Sequence, residues 1–149
     1  MSLYCWYGIV KGQQIVLRMD GARVEEVFQS EALPWAWGNI HGGAICPGTN
    51  GNFLLFFNSR IGGKDREKHR YNIGVAELSG SPPFGMVRIA RKPCVRGEEG
   101  VCLDGNKRYK SNVVFACGAI RDAEAWLLSY GNNDNDCRIV KLQEKDLQL

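Results

Sequence analysis

Two stretches of the chain match in character along their length: "NFLLFFNS", which begins at Asn52, and "AWLLSYGN", which begins at Ala125. Each is followed by a second strand-like run, "YNIGVAEL" or "CRIVKL", and preceded by a short apolar one, "AICP" or "VVFAC". Short runs rich in Val, Ile, Phe, Tyr and Trp and bounded by Gly, Asn, Asp and Pro read as β-strands. A group of antiparallel strands that recurs along a chain is the signature of propeller blades, in which each sheet buries its faces against its neighbours. No segment carries a sustained apolar period of 3.6, so helical layers are not expected.

The remaining runs extend the pattern. The chain begins with "LYCWYGIV" (Leu3 to Val10), "QIVLRM" (Gln14 to Met19) and "RVEEVFQ" (Arg23 to Gln29), then passes through the loop "LPWAWGNIHGG". "GMVRIA" follows the first repeat unit, and a long polar loop leads to the second. With 149 residues the chain is long enough for one domain with a core and short for two, so residues 1–149 are read as a single unit. The expected fold is all-β: antiparallel four-stranded blades of a partial β-propeller. Strands B to D of one blade fall at about 3–30, A to D of a second at about 44–90, and A to C of a third at about 112–143. About ten strands make about two and a half to three blades, short of the ~4 to 8 that close a propeller.

Composition narrows the function classes. A net charge of +3 is too small to imply a nucleic-acid partner, and basic and aromatic residues are not interleaved as a stacking groove requires. No stretch approaches the ~20 apolar residues of a membrane span, and the N-terminus lacks a signal peptide's charged and apolar regions. The expected compartment is cytoplasmic, with no membrane partner. The strand-like run starts at Leu3 without a lead-in, which reads as a chain lacking its natural beginning. Six cysteines are scattered with no Cys-x-x-Cys pair, so neither a metal nor a cofactor is expected. Cys46 and Cys117 lie in apolar runs and read as small hydrophobes, while Cys94 and Cys102 share one loop, with reduced thiols the expectation.

In an up-and-down blade the B–C and D–A connections share one face. The B–C loops are "IVKGQQ", "FNSRIGGKDREKHR" and "YGNNDND", and the D–A loops are "LPWAWGNIHGG" and "RKPCVRGEEGVCLDGNKRYKSN". Loops on a rigid scaffold concentrate binding chemistry, so this face is the candidate site.

Read in order, "WGNIHGGAICP", "FLLFFNSR", "RYNIGVAELSGSPPFGMVRIARKP", "NVVFACGAIRDAEAWLLSYGNND" and "CRIVKL" resemble the mannoside phosphorylases and related hydrolases of glycoside hydrolase family 130. The resemblance runs from about Trp35 to Leu142 and rests on the order of several short motifs. Among them are a Gly-Gly turn before a proline, an aromatic strand end, a Val-Val-Phe strand and a Tyr-Gly-x-x-Asp strand end. It implies a five-bladed propeller with a sugar site at the central channel. By the same resemblance Asp134 would hold sugar hydroxyls, with Tyr130 as the wall beside it. A carboxylate accepting two hydroxyls makes charge-assisted bonds that an amide would not. The chain also departs from the family pattern. Its general acid comes from N-terminal blades that this chain does not match, the family's histidine at the aromatic strand end is Asn58 here, and "KGQ" (Lys11 to Gln13) replaces another expected histidine. Inorganic phosphate, the family's co-substrate, thus loses two expected contacts.

Each candidate also has a plain structural reading. "NNDND" makes an ordinary turn through side-chain to backbone bonds, so Asp134 reads as turn former or sugar ligand. Trp35 and Trp37 point the same way in an extended segment and suit either a sugar ring's apolar face or packing between blades. His41 beside Gly42 and Gly43 suits a ligand contact or a surface turn. Arg60 opens the basic stretch "RIGGKDREKHR", which suits a phosphate or sugar phosphate, or plain solvation. Two functions remain open. One is a carbohydrate-active propeller that binds an oligosaccharide or sugar phosphate but lacks its acid; completed by further blades, it would act on β-mannosides as a phosphorylase or glycosidase. The other is a non-catalytic propeller piece that self-associates or joins a partner supplying the missing blades, since uncovered sheet edges and apolar faces require cover.

Overall fold

Strand runs joined by tight connections pair with their sequence neighbours, and the result is a series of antiparallel sheets. The structure, a computed structural model, describes residues 3–10, 13–20, 23–29, 41–61, 70–104 and 107–149. The first sheet contains β1 (Leu3–Val10), β2 (Gln13–Asp20) and β3 (Arg23–Gln29) in that order. The second contains β4 (His41–Pro47), β5 (Phe53–Ile61), β6 (Arg70–Leu78) and β7 (Met86–Ile89). A short strand, β8 (Val95–Arg96), pairs with the other end of β6, so the outer strand of this sheet is broken in two. A hairpin of β9 (Gly100–Asp104) and β10 (Lys107–Ser111) leads to the third sheet, β11 (Val114–Asp122), β12 (Ala125–Asn132) and β13 (Asp136–Gln143). One helical turn, α1 (Glu144–Leu147), follows.

The run "FLLFF" shows where the second sheet sits. Successive side chains of a strand point to opposite faces. Leu54 and Phe56 enter a core shared with Val114, Ala116, Trp126, Leu128 and Leu142 of the third sheet, while Leu55 and Phe57 join Ala76 and Leu78 in a separate cluster on the other face. A strand buried on both faces must be apolar without alternation, as this one is. The third sheet buries one face only: Trp126 and Leu128 are in the core, whereas Ile120 and Ile139 are 64% and 73% exposed. Phe56 and Trp126, with ring centroids 6.2 Å apart, mark the centre of the shared core.

Close approach of the second and third sheets requires glycine at position 43. A Cβ there would overlap the Phe56 carbonyl oxygen and touch the Ala116 Cβ. Register slips lie on both sides of this contact, between His41 and Ala44 in β4 and between Ala116 and Gly118 in β11. The second slip explains one difference from expectation. Cys117 lies at the bulge and is exposed, although its apolar neighbours read as buried, while Cys46 is buried and its thiol is pushed up to about 11 by burial. Cys94 carries a free thiol that contacts the Ile73 carbonyl, and burial pushes it up to about 12.

Two further features differ from the sequence reading. The polar stretch read as a loop contains the β9–β10 hairpin, whose signal was Asp104-Gly105 between two short runs. The chain also ends its strands in α1, where the Gln143 backbone N–H donates to Asp146 and Leu147 is fully buried in the shared core. Among the described residues no helix is long and apolar enough to cross a membrane.

At the end of the second sheet where β5 begins, one carboxylate is buried. Glu77 accepts from Asn52 at 2.7 Å and from Arg88, and the Asn52 side-chain oxygen accepts from the Gly80 N–H. Burial alone would raise the Glu77 carboxyl, but hydrogen bonds from Asn52 and Arg88 and the Arg88 charge hold it below the ordinary carboxylate value. A depressed folded-state value contributes stability above the unfolded pKa that is lost as pH falls through the folded one. Melting curves of the wild type should therefore lose temperature below about pH 4 to 5. Glu77→Gln should be less stable at neutral pH and show a flatter acid limb; identical acid limbs would remove this role. Phe56→Ala should cost about 3–5 kcal/mol in denaturant unfolding, because its cavity lies between two sheets.

Candidate functional site

The ends of six strands meet at the other end of the second and third sheets. His41 pairs with Asn58, Ile61 with Arg70, Val114 with Asn132, and Asn132 with Asp136. Six polar or charged residues are buried in the described structure: Asn58, Ser59, Asn72, Glu77, Asn132 and Asn133. All but Glu77 sit at this end, so among the described residues the buried polar groups are concentrated beside the β12–β13 turn. The Ser59 hydroxyl is buried without a hydrogen-bond partner among the described residues.

Asn58 joins three strands. Its Nδ2 donates to the Gly42 carbonyl at 3.1 Å, and its Oδ1 accepts from the Ala116 backbone N–H at 2.7 Å. That amide sits where β11 slips register, so a side chain from β5 satisfies it there. Gly42, Gly43 and Asn58 thus meet Ala116, and Ala116 pairs in turn with Tyr130 on β12. Tyr130 is half-buried and packs against the shared core. These four candidates form one continuous patch.

The β12–β13 turn is built from Asn132 to Asp136. Asn133 and Asp134 have φ of 53° and 51°, the left-handed region that Asn and Asp tolerate better than most residues. Asn133 clamps the turn to its surroundings. Its N–H donates to the Val113 carbonyl at 2.7 Å, its Oδ1 accepts from the Val113 N–H at 3.0 Å, and its Nδ2 donates to the Glu98 carbonyl at 3.2 Å. Gly100 leaves room for that amide, since a Cβ there would overlap it. The Gly97 N–H donates to the Tyr71 carbonyl at 2.8 Å, tying the same segment to β6. Asp134 is exposed at the tip of a turn that Asn133 fixes from below.

A second carboxylate stands beside it. Asp136 accepts from Asn132 at 2.9 Å and from Arg138 at 2.7 Å, and these bonds hold its carboxyl below the ordinary value. Arg138 is raised by Asp136 and, secondarily, by Tyr130, with which it pairs across β12 and β13. Arg60 is half-buried and pairs with Tyr71, whose ring lies 5.6 Å from that of Phe115. The His41 backbone opens β4 opposite Asn58. Trp35 and Trp37 lie outside the described residues, as does most of the basic stretch after Arg60.

Sequence reasoning passed over Asn133, Asn132 and Asp136, which form the turn's hydrogen bonds. Their signal was the run of side chains able to bond backbone, though no local rule says which of them turns inward. A shallow open cleft lined by Arg88, Ile89, Arg91, Gln148 and Leu149 lies at the opposite end, where the Arg88 guanidinium is already taken by Glu77. Among the described residues no group of three or more His, Cys, Asp and Glu is placed to hold a metal ion.

No protein-family model matches the chain, and no curated protein sequence does. Among solved structures it matches a β-1,2-mannobiose phosphorylase from Listeria innocua, determined in complex with β-1,2-mannobiose, with a TM-score of 0.58 and 18% sequence identity. The match covers 98% of this chain and 44% of that one, so the chain spans less than half the length of the enzyme it resembles. The three sheets are thus antiparallel blades of a partial β-propeller, and the likeness to glycoside hydrolase family 130 seen in the strand ends extends to the fold.

Asn58→Ala would leave the Ala116 N–H and the Gly42 carbonyl without their partner in a buried place. An unsatisfied buried group costs about 1–3 kcal/mol, and urea unfolding should show a loss of at least that size. A change within error would mean that water replaces the amide there.

Proposed function

We propose that the chain is part of a carbohydrate-active propeller and that its loop face binds a mannoside-type sugar through Asp134. The observation that carries this reading is the fold match to a mannobiose phosphorylase, combined with the position of Asp134. It is an exposed residue at the tip of the β12–β13 turn, which Asn133 bonds to Val113 and Glu98. Rigid placement matters because a carboxylate already ordered loses little entropy when two sugar hydroxyls bind. The ligand class is an oligosaccharide or sugar phosphate, with inorganic phosphate the co-substrate of a completed enzyme, and the proposed compartment is the cytoplasm.

The patch formed by Gly42, Gly43, Asn58 and Tyr130 supports the site as scaffold. The Asn58 amide is used at both ends, so its part is to hold β4 and β11 together beneath the face. His41 at the start of β4, Arg60 near the end of β5, and Trp35 and Trp37 in the sequence before β4 are proposed as further contributors. Hydrolysis or phosphorolysis of a glycoside needs an acid to protonate the leaving oxygen. No residue here corresponds to the acid that the family resemblance would supply, so the chain alone is a binder and turns nothing over.

Calorimetric titration of mannose and β-1,2-mannobiose tests the reading. The wild type should give saturable heat, and Asp134→Asn should bind at least about tenfold more weakly, a loss of about 1.4 kcal/mol. Asparagine tolerates the left-handed φ, so the variant keeps its turn and the loss reports the charge. A folded wild type that gives no heat, or a variant that binds equally well, overturns the sugar site. Phosphate-dependent release of mannose by the chain alone would overturn the absence of turnover.

A further inference from the structure

We propose that the face of the second sheet turned away from the third carries a binding site for a phosphate group, built from Ser59, Asn72, Arg96 and Arg70. Register places them together. Ser59 on β5 pairs with Asn72 on β6, and Asn72 pairs with Arg96 on β8. Directly opposed residues share a face with Cβ atoms about 4.5–5.5 Å apart, so the three form one row across three strands. Arg70 lies two residues from Asn72 on β6 and adjoins the row on the same face. The same alternation puts the row on the face of Leu55, Phe57, Ala76 and Leu78, the cluster separate from the core shared with the third sheet.

The row is graded from inside to outside. Ser59 is 1% exposed, Asn72 is 7% exposed, and Arg96 and Arg70 reach solvent. Among the described residues the Ser59 hydroxyl has no hydrogen-bond partner, and neither arginine takes part in an ion pair. A buried polar group left unpaired is costly, so one that persists calls for a partner. The one carboxylate in β4 to β8, Glu77, alternates with Ala76 and Leu78 and so lies on the opposite face, where it already bonds Arg88. Two positive charges beside a hydroxyl and an amide, with no carboxylate on their face, complement an oxyanion. Two guanidinium groups suit the double charge and several acceptor oxygens of phosphate better than a single carboxylate.

Ser59 acts through Asn72, because its hydroxyl is too deeply buried to touch a ligand entering from the β8 side. With Asn72 Nδ2 donating to phosphate, Asn72 Oδ1 turns toward β5 and accepts from the Ser59 hydroxyl, which gains the partner it lacks. Ser59 is thus a positioning residue, and Asn72, Arg96 and Arg70 supply the contacts. Asn58, where the family resemblance would put a phosphate contact, lies on the opposite face of β5 and spends its amide on Gly42 and Ala116. The site is therefore separate from that position and does not rest on the sugar reading.

Inorganic phosphate and glucose 6-phosphate are the probes, titrated calorimetrically into the wild-type chain at an ionic strength held constant with sodium chloride. Saturable heat is expected, with a dissociation constant below about 1 mM. Equal affinity for the two would mark the site as one for free phosphate, and tighter binding of the ester as one for a phosphorylated metabolite. Arg96→Gln should bind at least about tenfold more weakly with a wild-type melting curve, because the side chain is exposed and carries no ion pair. Ser59→Ala should also weaken binding without lowering the melting temperature, since the hydroxyl it removes has no partner. Asp134→Asn should titrate phosphate as the wild type does, which keeps this test apart from that of the sugar site. No heat beyond the chloride control, or unchanged affinity in Arg96→Gln, overturns the site. Unchanged affinity in Ser59→Ala overturns the positioning role.

Discussion

The second and third sheets can share a core only if β11 lies close against β4 and β5, and a few atoms set that approach. Gly43 leaves out a Cβ that would strike the Phe56 carbonyl within its own sheet and crowd the Ala116 Cβ of β11, and Asn58 supplies acceptor and donor where the strands fall out of register. An unbridged slip would leave the Ala116 N–H buried and unpaired at a cost comparable to a sizeable part of a domain's net stability. With the gap closed, Phe56 meets Trp126 and the apolar cluster becomes continuous.

The same constraint gives the molecule two unlike ends. At one, Glu77 is satisfied by Asn52 and Arg88, a local arrangement that fastens β5, β6 and β7. At the other, buried amides link segments far apart in sequence: Asn58 with Ala116, and Asn133 with Val113 and Glu98. Long-range bonds of this kind fix the strand ends at this end of the molecule relative to one another. Asp134 sits at that end. The run "NNDND" leaves turn former and ligand as alternatives for Asp134; in the structure Asn133 makes the bonds that clamp the turn, and Asp134 is an exposed residue at its tip.

The third sheet is packed on one face and open on the other. Its inner face buries Val114, Trp126, Leu128 and Leu142, and its outer face carries Ile120 and Ile139 into solvent. A propeller blade normally has neighbours on both faces, so the exposed isoleucines express the same burial rule that made "FLLFF" continuous.

The sequence by itself determined most of the strands and the order in which they pair, but not β8, β9 and β10. Each follows from local pattern: turn residues bound the runs, periodicity assigns faces, and short connections pair neighbours. The glycine pair and the Tyr130 to Asp134 strand end were legible for the same reason. Tertiary structure alone decided that Cys117 faces solvent, that Asn133 turns inward while Asp134 does not, that Asn58 is a strut and that Leu147 joins the core. Each of these depends on contact with a segment distant in the chain, and a residue's neighbours in sequence carry no record of what will be packed against it.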